Sequence, residues 1–145
     1  MNWKDVAIDD LERFERQKQA LANISARLDV LEDCYTSLKS VATDKTPVQG
    51  GSTPIEDKLL SNLVERERLK HTYKATKKLV ELTEKGLGRL NEDEKRTLEL
   101  FYIHRHKYHV ERLMEELGYE KTRIYSLKDS ALYKFTISMY GLPEY

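Results

Sequence analysis

The residues best suited to chemistry gather in the last third of the chain. His104, His106 and His109 fall within six positions, a density suited to a transition metal. No cysteine or close carboxylate completes a four-ligand set, so no metal is expected and a positively chargeable loop is the preferred reading. Arg105 and Lys107 share that stretch, and Lys121, Arg123, Lys128 and Lys134 follow along one predicted helix. Tyr108 and Tyr125 add hydroxyl donors able to reach phosphate oxygens. A second basic series, Arg66, Lys70, Lys74, Lys77 and Lys78, recurs at helical spacing. Two readings are open for it: a phosphate-binding edge, or a solvated face paired with Asp29, Glu32 and Asp33, which is preferred. Cys34 excludes a disulfide framework by being the only cysteine, and its place beside Tyr35 predicts a small, partly buried apolar residue. A glycine-rich phosphate loop, a nucleophile elbow, a metalloprotease motif and a convincing carboxylate pair are all missing. The expectation is a non-enzyme without cofactor.

The elements that must position these groups are helical. The chain has 145 residues and 17.1 kDa, with 25 basic against 25 acidic residues. Charged residues make up 34% and mean hydropathy is −0.69, whereas Gly (6) and Pro (3) are scarce. That mixture fits long solvated helices better than a sheet with many tight turns. No apolar run approaches the ~18 residues of a membrane span, and Met1-Asn-Trp-Lys-Asp lacks the layout of a secretory signal. A cytoplasmic protein without membrane contact is therefore expected.

Residues 1–87 read as a coiled-coil-like helical hairpin. Phe14, Leu21, Leu28 and Tyr35 interleave with Gln17, Ile24, Leu31 and Leu38 at alternating steps of three and four. The predicted helix runs from about Asp9, with Asp9 or Asp10 at its first turn, to Val41. At ~1.5 Å per residue it is roughly 50 Å long, which demands a partner helix. Residues 43–54 (TDKTPVQGGSTP) form a break, and a second helix follows from Ile55 or Glu56 to Glu84. Its weaker stripe is Ile55, Leu59, Leu63, Arg66, Leu69, Tyr73 and Val80. Antiparallel pairing of the two helices is preferred, and self-association through the seam of Phe14, Leu21, Ile24, Leu28, Leu31, Tyr35 and Leu38 competes with it. Gln17 would then help fix the register. Gly86 and Gly88 are expected to end the second helix as a hinge.

Residues 88–145 read as a three-helix domain. Asn91 and Glu94 make a capping pair before a helix from Glu92 to about Ile103. A short helix follows from Val110 to Leu117, stopped by Gly118, and a last helix runs from Lys121 to about Tyr140, ended by Gly141 and Pro143. Val110, Leu113, Met114 and Leu117, then Ile124 and Leu127, give two helices whose inner faces bury each other across a short glycine turn. The start of the second is left projecting at a width suited to the major groove, which is a helix-turn-helix pattern. Most tyrosines after residue 100 are expected in the core.

The stretches L-N-E-D-E-K-R-T-L-E-L-F-Y from Leu90, V-E-R-L-M-E-E-L-G-Y from Val110 and R-I-Y-S-L-K-D-S-A-L from Arg123 resemble region 4 of bacterial sigma-70 factors. More narrowly they are similar to the sigma-region-4-like regulators of phages and prophages, such as the ArpU-type late-transcription regulators. The likeness covers residues 88–141. It implies promoter binding through the helix beginning near Lys121, with contact to RNA polymerase. Met114 stands where such families usually have Ala, and Glu120 where a capping Ser is common.

Taken together, an all-α protein is expected: a long N-terminal hairpin and a C-terminal helix-turn-helix domain acting in transcription regulation in a bacterial host cell. Lys121, Thr122, Arg123, Tyr125, Ser126 and Lys128 would face double-stranded DNA, and Arg105, Lys107 and Lys134 its backbone. The chain would self-associate through its N-terminal helices. The alternatives are a module that binds a sigma factor, polymerase or packaging component, or a small-terminase-like packaging protein. Residues 91–145 carry nine bases against ten acids, so strong DNA affinity would need avidity.

Overall fold

Asn2 opens the first helix: its Oδ1 accepts the backbone N–H of Lys4 at 2.9 Å, satisfying one of the donors a helix start leaves unpaired. The computed structural model describes residues 2–43 and 54–142. The elements are α1 (Trp3–Thr43), α2 (Pro54–Gly88), α3 (Glu92–Leu98), a π-helical turn (Glu99–Ile103), α4 (His109–Leu117) and α5 (Lys121–Tyr140). No strand occurs among the described residues, so the chain is all-α there. Helix α1 starts six residues before the expected position because Asn2 caps it. Asp9 instead pairs with Arg13 at 3.0 Å, and Asp10 accepts from the hydroxyl of Tyr140. Of the break expected over 43–54, Thr43 closes α1 and Pro54 opens α2; the residues between lie outside the described ones, as does Pro143. Proline suits the first position of a helix, where its missing N–H is not needed.

The chain forms two compact units, Met1–Lys18 with Lys78–Tyr145, and Gln19–Lys77. The C-terminal unit therefore takes in more than the expected residues 88–145. Its first core joins Ala7 and Leu11 of α1, Leu90, Leu98 of α3, and Ala131, Leu132 and Phe135 of α5. Trp3 stacks on Tyr140 with ring centroids 5.0 Å apart. Burial pushes the carboxyl of Asp10 above the usual range despite the bond from Tyr140, and burial with that bond raises the Tyr140 hydroxyl. Helix α2 does not end in a hinge at Gly86; it continues through Gly88. A Cβ at Gly86 would lie 2.8 Å from Phe135 Cε2 and 2.9 Å from Met139 Sδ, so glycine there permits close packing with α5.

Asn91 and Glu94 form the expected capping box. Asn91 Oδ1 accepts the N–H of Glu94 at 2.8 Å, and Glu94 Oε1 accepts the N–H of Asn91 at 3.0 Å. The helix then widens at Glu99–Ile103, where the N–H of His104 reaches the carbonyl of Glu99 at 2.7 Å, an i to i+5 bond.

In the unit of residues 19–77, α1 and α2 pair antiparallel. Arg27 meets Glu65 at 3.7 Å, and Asn62 Nδ2 donates to the carbonyl of Leu31 at 2.8 Å. Arg66 lies over the ring of Tyr35, 4.6 Å from its centroid. Leu31 is buried, while Leu21, Ile24, Leu28, Tyr35 and Leu38 are half-buried. The seam is thus turned toward the chain's own second helix. The expected stripe of α2 is corrected at one position: Leu63 is exposed and Asn62 is buried in its stead. Cys34 is exposed, not partly buried, because it lies one residue off the seam.

Candidate nucleic-acid interface

Two helices and a three-residue turn carry the candidate interface. Helix α4 ends at Gly118, whose φ of 73° lies in the left-handed region, and its N–H bonds to Met114 O at 2.9 Å. Only glycine enters that region without a steric penalty, so the chain reverses there at low cost. Glu120 is the N-cap of α5 in extended conformation and makes no side-chain cap.

A second core holds the two helices together. Leu100, Phe101, Val110, Leu113 and Ile124 are buried in it, with Met114, Leu117 and Tyr119 at its margin. Polar bonds add orientation. Arg96 of α3 grips Glu116 of α4 through two bonds of 2.7 and 2.8 Å, and Arg112 adds a third at 3.1 Å. The bonds from Arg96 and Arg112 hold the Glu116 carboxyl down at about 2, and its partners keep the Arg96 guanidinium protonated more firmly than usual. Tyr119 donates to Asp93 Oδ2 at 3.1 Å and carries Arg123 over its ring at 5.4 Å.

With α5 so fixed, Lys121, Thr122, Arg123, Tyr125 and Ser126 all stand exposed on its first two turns. Among the described residues neither Lys121 nor Arg123 joins an ion pair. Tyr125 leans edge-on against Phe101, centroids 5.9 Å apart, which fixes its ring while its outer edge stays open. Arg105 and Lys107 are exposed in the segment before α4, Lys107 lying 5.5 Å from the Tyr108 ring centroid. His106 and His109 bond locally instead of converging: His109 Nδ1 lies 3.0 Å from His106 O, and His106 Nε2 lies 3.2 Å from Arg112 Nη1. Among the described residues no group of three His, Cys, Asp or Glu is placed to hold a metal ion.

Two expected residues are not brought to this surface as free cations. Lys128 is half-buried, bonded to Asp129 at 2.7 Å and lying 5.8 Å from the Phe101 ring centroid. Burial alone would lower its pKa, but the bond and charge of Asp129 hold it above the ordinary lysine value. Lys134 binds the buried carboxylate of Glu94 at 2.8 Å. Burial would raise Glu94, yet the bonds from Lys134 and the Asn91 N–H leave it below its usual value. The tyrosines are also corrected. None of those described after residue 100 is fully buried; Tyr108, Tyr125 and Tyr133 are exposed because their hydroxyls favour water at the rim of a small core. Tyr133 shares the outer face of α5 with Thr122 and Ser126, and the steps of four and seven between them were the available signal.

Compared with known protein families, with curated proteins and with solved structures, the chain matches none. No described helix is long and apolar enough to cross a membrane.

Proposed function

We propose that this chain is a DNA-binding transcriptional regulator of the phage or prophage type, in which α4, the Gly118 turn and α5 act as a helix-turn-helix. The observation that carries the reading is the uncommitted first two turns of α5. Lys121 and Arg123 are exposed without ion-pair partners, beside the donors Thr122, Tyr125 and Ser126, on a helix held by a buried core. Such a set can reach base edges from one helix face while its cations neutralise phosphates. Arg105 and Lys107 supply backbone contacts. Lys128 and Lys134 are withdrawn from this role by Asp129 and Glu94.

The test is fluorescence anisotropy with duplexes from upstream of the chain's own operon, with and without RNA polymerase, across a salt series. Salt-sensitive binding that prefers one duplex supports the reading; equal, feeble binding to every duplex at low salt overturns it. A second reading, docking of this surface on a protein such as a sigma factor or polymerase subunit, is favoured by one observation. Glu120 places a carboxylate at the start of α5, where a phosphate would be repelled. Arg123→Glu abolishes duplex binding in the first reading; in the second the wild type binds a sigma factor or polymerase subunit and no duplex, and the same change weakens that protein contact.

A further inference from the structure

Of the basic series on α2, Lys70, Lys74 and Lys77 stand exposed within the unit of residues 19–77. They do not pair with Asp29, Glu32 and Asp33, the arrangement preferred from the sequence. Lys70 meets Glu67 at 3.6 Å, Arg66 lies over Tyr35, and Lys74 and Lys77 join no ion pair among the described residues. Antiparallel pairing, with Asn62 bonded to Leu31, puts residues 19–28 of α1 and residues 68–77 of α2 at one end of the hairpin. Those two stretches carry Arg27, Arg68, Lys70, Lys74 and Lys77, with His71, and no Asp or Glu. The rest of the unit's described residues, 29–43 and 54–67, hold three bases against seven acids. The hairpin is thus charge-separated along its length, a distribution that neither helix shows in its net charge.

A groove of about 510 Å³ opens at the basic end. Leu28 and Tyr73, both half-buried, line it together with the exposed Lys70, His71, Lys74 and Lys77, and Glu67 is its one carboxylate. Its charge calls for an anionic occupant, and its composition says which kind. Protein interfaces are depleted of lysine and depend on exposed aromatic or arginine anchors, whereas here the apolar residues are withdrawn and only ammonium groups project. Lysine binds phosphate as a compact point charge, without the planar matching that a carboxylate partner draws from arginine. Lys70 and Lys77 are seven residues apart, about 10 Å along the helix at ~1.5 Å per residue. That span equals about three phosphate steps along one strand of a duplex at ~3.4 Å each.

We infer that this groove is a sequence-independent contact for double-stranded DNA, in which Lys70, Lys74 and Lys77 bind successive phosphates of one strand. The contact is built from residues 19–77 alone and is separate from the surface of α5. Glu67 is a weak brake on it, since an exposed pair three residues apart is readily exchanged for a phosphate. Three phosphate contacts by themselves hold a duplex feebly and at low salt, so the groove supplies affinity and no selectivity.

Anisotropy of mixed-sequence DNA duplexes with the full chain, across a salt series, tests it. Combining Lys70→Gln, Lys74→Gln and Lys77→Gln lowers the slope of log K against log salt by about 2.7, at ~0.9 per phosphate. The helical circular dichroism signal stays as in the wild type, because all three side chains already face water. The loss is equal for every duplex, so any preference between duplexes is kept. Arginine at the same three positions retains the wild-type slope. Glu67→Gln releases Lys70 and tightens binding roughly threefold, a gain that misfolding does not mimic. A triple glutamine variant with the wild-type slope overturns the inference, even where α5 still selects one duplex. A drop confined to one preferred duplex overturns it too. So does poly-glutamate that displaces the duplex as well as a DNA of equal charge, which would assign the groove to an acidic protein. A wild type that binds all duplexes equally, with the slope still falling in the triple variant, sinks the reading of α5 and supports the groove.

Discussion

One carboxylate does two jobs at the start of α3: Glu94 closes the cap on Asn91 with Oε1 and holds Lys134 of α5 with Oε2, 2.8 Å away. Glu94 is almost wholly buried, and Lys134 covers it from the solvent side. The lysine that looked like a DNA contact is thereby a strut between two helices of the core.

Loss of Lys134 should consequently show in stability and not in DNA affinity. Lys134→Ala leaves a buried carboxylate with one fewer partner and is expected to cost about 1–3 kcal/mol, seen as a lower Tm. Lys134→Ala binding to DNA below its melting range should match wild type. A normal Tm with weakened DNA binding would reverse the assignment.

The two glycines at the end of α2 should respond in opposite directions. Gly86→Ala meets Phe135 and Met139 at under 3 Å and is expected to destabilise by about 1–3 kcal/mol. Gly88 has open space around its Cβ position, so Gly88→Ala should stabilise by roughly 0.5–1 kcal/mol through its better helix propensity. Denaturant melts of the two variants, side by side, decide it.

Acid should loosen the α3–α4 contact through Glu116 and the α3–α5 contact through Glu94. Both have folded pKa values below the ordinary 4.5, Glu116 at about 2. A depressed carboxylate stabilises fully above its unfolded pKa, and that contribution is lost as pH falls through the folded value. Stability should therefore decline from about pH 4.5 toward 2, less steeply in Glu116→Gln. Asp10, raised by burial, works in the opposite sense, favouring the fold at low pH. Chemical melts at stepped pH measure the slope.

The cations of the proposed interface should register in the salt dependence of DNA binding. Each phosphate contact removed lowers the slope of log K against log salt by about one. Arg123→Ala and Lys107→Ala are each expected to do so, with Arg123→Ala also reducing preference among duplexes if it reads a base edge. Unchanged slopes in both would mean that neither touches DNA.

Much of this molecule follows from local pattern. The bounds of α4 and α5, the glycine at 118 and the Asn91–Glu94 box were all legible because each depends on residues within one turn of each other. The seven-residue repeat likewise required a partner for α1, since a stripe of that length must be covered. Three-dimensional packing decided the rest. That Ala7 and Leu11 belong with Phe135 depends on residues more than a hundred positions apart, which periodicity along one helix does not encode. The same holds for Gly86, where the space for a side chain is taken by Phe135 and Met139 and not limited by its own backbone. Lys128 and Lys134 looked equivalent to Lys121 and Arg123 as charges on one helix. Asp129 stands next to Lys128 in the sequence, but only the fold brings Glu94 to Lys134, forty residues away, because charge is a property of sequence and its neutralisation a property of distance.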